Sequence, residues 1–107
     1  MERVVAFGGE KQNPAALATL AASPQLTSGM WNVTFMVSSE VAVAIDLQHV
    51  ASDGTTVLFS QRIYLAASRT EHIPLNLIVQ SGEKLSSYVA AAVTGKVCGS
   101  IVGVKVR

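Results

Sequence analysis

The sequence is poor in charge, cysteine and aromatic rings. Asp, Glu, Lys and Arg make up 14% of its 107 residues, well under the ~25% typical of soluble domains. Eight basic residues against seven acidic ones leave a net charge of +1, so no basic field exists to attract nucleic acid or an anionic membrane. The single cysteine, Cys98, excludes an intrachain disulfide framework and every multi-cysteine zinc pattern. The longest apolar stretches lie within 41–47 and 89–93, far short of the ~20 residues that a membrane-spanning helix needs. Residues 8–14, Gly-Gly-Glu-Lys-Gln-Asn-Pro, interrupt what would have to be the apolar region of a secretory leader, so none is expected.

What is present is small and apolar: 15 Val and 14 Ala but only six aromatic residues. The core must therefore be built from β-branched and Ala side chains. A surface this short of charge would leave apolar patches in water unless another subunit covered them. An oligomer is the expectation.

The length corresponds to one domain, in which two regimes meet near Ser28-Gly29. Residues 1–28 read as an irregular arm with one apolar run, Arg3 to Phe7, followed by the Gly-Gly break. Asn13-Pro14 then offers a cap and first turn for a helix of at most two turns, ended by Ser23-Pro24. Leu17 and Leu20 would dock that segment, either on its own domain or on a neighbour.

From residue 29 to 107 the pattern is all-β. Trp31, Val33, Phe35 and Val37 alternate with Asn32, Thr34 and Met36, and Val41, Val43, Ile45, Leu47 and His49 alternate with Ala42, Ala44, Asp46 and Gln48. Ser52-Asp53-Gly54-Thr55-Thr56 is a hairpin signal leading into a strand from Val57 to Ala66. Ile73, Leu75, Leu77 and Val79 form the next alternation, with Pro74 placing it at a sheet edge. Leu85–Val93 and Val97–Val106 complete the set. The apolar phase of the last strand reads as shifting from Val97 and Ile101 to Val102, Val104 and Val106, which predicts a β-bulge. Six short strands joined by turns, with Arg3 to Phe7 offering a seventh, predict a compact jelly-roll-like β-sandwich.

No reaction centre emerges, and no catalytic residue, cofactor, metal site or small-molecule substrate is expected. Cys98 sits on a Gly-interrupted strand with no base in sequence reach. Asp46 and His49 fall on opposite faces of one strand and cannot chelate together. His49 reads as a rim or inter-subunit hydrogen-bonding residue, and His72 beside Glu71 as a solvated pair. Ser81-x-x-Lys84 lacks the companion motifs of a nucleophile site, and Gly95-Lys96 lacks the rest of a phosphate loop. Asn32-Val33-Thr34 matches a glycosylation acceptor but lies within a strand. Lys84, Lys96, Lys105 and Arg107 are scattered among turns and strands.

Gly29-Met30-Trp31-Asn32-Val33, the strand to Gln48-His49 with Asp53-Gly54, Ile73-Pro74-Leu75 leading to Ser81-Gly82-Glu83, and Thr94-Gly95 before a Val-rich end make residues 29–107 resemble a known family. That family is the small jelly-roll head decoration, or cement, proteins of tailed bacteriophages. Similar text occurs in trimeric tumour-necrosis-factor-like and C1q-like domains and in phage fibre heads. The resemblance implies a homotrimer on the capsid exterior, assembled in the host cytoplasm, that binds the major capsid protein and stabilises the head. Candidate capsid contacts are Arg3, Val4, Val5, Phe7, Leu17, Leu20 and Leu26. The small outward residues Ala42, Ala44, Ala90 and Ala92, with Tyr88, are the candidate homo-oligomer interface. The alternatives are a receptor- or glycan-binding head of a fibre or spike, and a free trimeric binding module.

Overall fold

The computed structural model describes residues 2–107. Eight strands run in chain order: β1 (Arg3–Gln12), β2 (Thr19–Ala22), β3 (Gly29–Ser39), β4 (Val43–Val50), β5 (Val57–Leu65), β6 (Arg69–Val79), β7 (Lys84–Val89) and β8 (Lys96–Lys105). They form two four-stranded antiparallel sheets, β1-β8-β3-β6 and β2-β7-β4-β5. Successive strands alternate between the sheets except along the β4–β5 hairpin, giving the double Greek-key order of a jelly roll.

The alternation along β3 explains its central place. Trp31, Val33, Phe35 and Val37 are all buried, facing Ile45 and Leu47 of β4 and Leu85 and Val89 of β7 within one core. The Trp31 indole N–H, which would be costly to bury alone, donates to the Thr27 carbonyl at 2.9 Å. At the β4–β5 turn, the Asp53 carboxylate accepts the N–H groups of Thr55 and Thr56 at 2.8 Å and the Thr56 hydroxyl at 2.6 Å. Those bonds hold its pKa down at about 2. Pro74 lies in β6, an edge strand of its sheet, where a missing N–H is tolerated.

Three expectations are corrected. Residues 1–28 are not an irregular arm separable from a sandwich at 29–107: β1 pairs along β8, β2 pairs with β7, and Ala6, Leu20, Ala21 and Leu26 lie in the core. β1 continues through the Gly-Gly break by way of a bulge between Phe7 and Glu10. A side chain at Gly8 would run into the Leu20 carbonyl, so glycine permits the two edge strands to cross closely.

The short helix is also absent. Asn13 and Leu17 have positive φ, 51° and 65°, and their N–H groups donate to the carbonyls of Gly95 and Val89. The Asn13 side-chain oxygen accepts the Gly95 N–H at 2.8 Å. Alanine favours helix in isolation, but so short a helix is marginal, and bonds to the β7–β8 loop replace it.

Finally, the expected bulge in β8 does not exist. β8 keeps an unbroken register with β3, and its inward positions are Val97, Gly99, Ile101 and Gly103 throughout. Val102 and Val104 therefore point outward. Gly99 packs against Leu20 and Gly103 against Trp31, so glycine fills inward positions where a larger neighbour already occupies the space.

Candidate interaction surfaces

Strand parity fixes what the outer face of β1-β8-β3-β6 presents. Cross-strand pairing sets up the rows Phe7–Ser100–Met36–His72, Val5–Val102–Thr34–Pro74 and Arg3–Val104–Asn32–Asn76, with Met30 beside Ile78 at one end. Eight of these fourteen positions are apolar and only Arg3 carries a full charge. Phe7 is 80% exposed and Ile78 72%. With strands ~4.8 Å apart and about eight residues long, the face covers on the order of 500 Å². With eight of fourteen positions apolar, the apolar share is on the order of 300 Å², the lower end of the ~300–600 Å² that monomers leave as their largest apolar patch.

The second surface lies at one end of the sandwich. Jelly-roll connectivity brings together the β1–β2, β3–β4, β5–β6 and β7–β8 loops there. These loops and the strand ends beside them hold ten of the fourteen alanines, at 15, 16, 18, 42, 44, 66, 67, 90, 91 and 92. Main-chain bonds fasten the loops to each other and to the sheet, Val93 N–H to the Pro14 carbonyl and Ala90 N–H to the Ala44 carbonyl. Leu17 protrudes from this end, 67% exposed. The opposite end, with Asp53-Gly54-Thr55-Thr56 and Gln80-Ser81-Gly82-Glu83, is polar.

The outer face of β2-β7-β4-β5 differs from both. Arg62 on β5 pairs across to Asp46 on β4, its Nε and Nη2 donating to the two carboxylate oxygens at 2.8 and 3.0 Å. Hydrogen bonding to Arg62 holds the Asp46 carboxyl below the usual carboxylate range, with a contribution from the Tyr88 hydroxyl. Burial and the Asp46 charge push the Tyr88 phenol up. Gln48 Nε2 donates to the Tyr88 hydroxyl at 2.9 Å. Next to this network, across from Ala44, Tyr64 stands 81% exposed.

Two other titratable groupings complete the surface. His49 Nε2 lies 2.8 Å from Glu83 Oε1, both side chains buried, and the same oxygen accepts the Gln80 N–H. This pair ties β4 to the β6–β7 turn inside one chain, rather than at a rim or between subunits. A pocket of about 320 Å³ lined by Glu10, Ser38, Glu40, Arg69, Thr70, Lys96 and Cys98 mixes both signs of charge. Among the described residues, no group of three or more His, Cys, Asp or Glu is placed to hold a metal ion.

Of the sequence candidates, Arg3, Val5 and Phe7 share the outer face of the first sheet, whereas Val4 turns inward against the core. Leu20 and Leu26 are core residues, 1% and 3% exposed, and are withdrawn as surface contacts. Leu17, Ala42, Ala44, Ala90 and Ala92 gather at the loop end, and Tyr88 belongs to the polar network instead. Val102 and Val104 were read as inward, and Met30, Met36 and Ile78 were not singled out as contacts; strict parity through Gly99 and Gly103 would have placed the two valines outward.

No protein-family model matches the chain, and no curated protein matches it. Solved structures do share its fold. The globular domain of zebrafish complement 1qA superposes with a TM-score of 0.68 at 11% identity, over 100% of this chain and 98% of that one. The chain of infectious bursal virus derived T=1 particles gives 0.58 at 11% identity, covering 95% of this chain and 31% of that one. A carbohydrate-binding module of Cellvibrio mixtus lichenase 5A, solved with cellotriose, gives 0.54 at 16% identity over 92% and 78%. At these identities the likeness shows the jelly-roll fold.

Proposed function

We propose that the chain is a non-enzymatic structural subunit of a virion, a decoration protein that forms a homotrimer on the capsid exterior. The observation that carries the reading is the outer face of β1-β8-β3-β6, where Phe7, Val5, Val102, Val104 and Ile78 form an apolar surface with Arg3 at one corner and the Glu10–Lys96 pair beyond Phe7 at the other end. Copies of the chain cover that face in the trimer, which removes the patch from water and accounts for a sequence so short of charge. Further support comes from the resemblance of residues 29–107 to phage decoration proteins and from a fold shared with a capsid chain.

The roles of the two surfaces are assigned by area. The sheet face is broad and flat enough for self-association, so Val5 and Phe7 serve the trimer rather than the shell. The alanine-rich loop end, with Leu17 at its tip, contacts the major capsid protein. Each contact is small, and a trimer presents three at once, so the copies reinforce one another through effective concentration. Capping adjacent capsomers in this way adds interface energy that must be lost before the shell opens.

The experiment is co-purification: the wild-type chain, expressed during infection, travels with mature heads. Recovery with tails or spikes would favour a receptor-binding head, and recovery with no particle would favour a free binding module.

A further inference from the structure

We propose that the outer face of β4, β5 and β7 is a binding site for a neutral oligosaccharide, with Tyr64 as a stacking platform and Arg62, Tyr88 and Gln48 as fixed hydrogen-bonding groups.

Tyr64 is the most exposed of the large hydrophobic side chains, at 81%, and it stands on strand β5 rather than on a loop. Its cross-strand neighbour is Ala44, which leaves the ring free on that side. An aromatic ring kept in water gains most by packing against a partner that has an apolar face and a polar rim. The C–H face of a pyranose, rimmed by hydroxyls, has that character.

The neighbouring polar groups are preorganised. Asp46, 95% buried by its 5% exposure, holds the Arg62 guanidinium by two hydrogen bonds. Two of the five guanidinium N–H groups are used on Asp46, the guanidinium also lies within reach of the Tyr64 hydroxyl, and the other donors remain for a ligand. Gln48 is held by the Tyr88 hydroxyl, which leaves its amide oxygen and second N–H available. A ligand that meets these groups does not have to freeze them, so less ordering entropy opposes binding.

Charge and spacing narrow the ligand class. Asp46 neutralises Arg62, so the three rows at Ala44, Asp46 and Gln48 offer hydrogen bonds without a net charge, Lys84 lying one row further on beside Val50, and this suits a neutral polyol better than a phosphate or carboxylate. Along β4, outward positions repeat every ~6.8 Å. Tyr64 beside Ala44, Arg62 and Tyr88 beside Asp46, and Ser60 and Ser86 beside Gln48 thus form three successive rows. Their span of ~14 Å matches a short linear saccharide lying along the strand.

This inference does not rest on the trimer, which uses the opposite sheet. The test is calorimetric titration of the whole chain with cellohexaose, maltohexaose and laminarihexaose, with a heparin hexasaccharide as the anionic comparison. At least one neutral hexaose is expected to bind. Tyr64→Ala should weaken that binding about tenfold or more, Tyr64→Phe should retain it, and Arg62→Lys, which loses the planar fork, should weaken it about threefold to tenfold. Sedimentation of Tyr64→Ala should be unchanged. Absence of binding by all three neutral probes, tighter binding of heparin, undiminished affinity in Tyr64→Ala, or a changed assembly state in that variant would each overturn the proposal, the last by assigning Tyr64 to a protein contact.

Discussion

Gly103 lies against the indole of Trp31: a Cβ at that position would sit 3.4 Å from Cε3 of Trp31 and 3.6 Å from a methyl of Val33. A methyl group there would make ordinary van der Waals contact with the indole and with Val33, leaving no space beyond it for a branched side chain. Gly103→Val should destabilise the fold by about 1–3 kcal/mol through overpacking, and Gly103→Ala by much less, as read by denaturant unfolding.

Glu83 answers both the buried His49 ring and the Gln80 N–H with one oxygen. Glu83→Ala leaves those two donors without their partner inside the protein, a loss of about 2–3 kcal/mol. Glu83→Gln keeps an acceptor in place and should cost less. Urea midpoints of the two variants, compared at one pH, check the order; equal midpoints would show that the pair contributes nothing specific.

Acid should weaken the fold through its low-pKa carboxylates. Asp53 sits at about 2 in the folded chain against an ordinary 3.8, and Asp46 is lowered in the same direction. The folded form therefore binds these protons less readily than the unfolded chain. Their contribution is complete above the ordinary value and is lost as pH falls through the folded one. Thermal melts from pH 7 down should stay level until about pH 4 and then decline towards pH 2. Asp53→Asn should flatten part of that decline.

Leu17 is a non-glycine residue held at positive φ with its side chain in water. Replacing it with Asp should leave the fold and assembly intact while excluding the chain from particles that incorporate the wild type. Gel analysis of purified heads, with wild type and variant co-expressed, reads the ratio directly.

Legibility of the fold followed the contrast between faces. Residues 31–37 and 43–49 have one buried and one partly open face, so their period of two appears in the letters. β1 and β2 are edge strands with little such contrast, and Gly8-Gly9 breaks the run, so their strand character comes only from partners 60 to 100 residues away in sequence. The alanines of 13–22 misled because intrinsic propensity favours helix while long-range main-chain bonds to the β7–β8 loop decide the outcome. In β8 the rule that valines face inward failed, because the inward places are held by Gly99, crowded by Leu20, and Gly103, in contact with Trp31. Among the site residues, Phe7 and Leu17 are exposed. The Arg62–Asp46–Tyr88–Gln48 network did not show, since it joins three strands whose order the letters do not give.

The central claim is that the outer face of β1-β8-β3-β6 is covered by other copies of the chain. Sedimentation equilibrium measures this most directly. The account predicts a wild-type mass three times the 11.2 kDa of the chain at micromolar concentration, and a folded monomer for Phe7→Glu combined with Val102→Glu. A wild-type chain that remains monomeric at those concentrations, or a trimer that survives both charges, would contradict it.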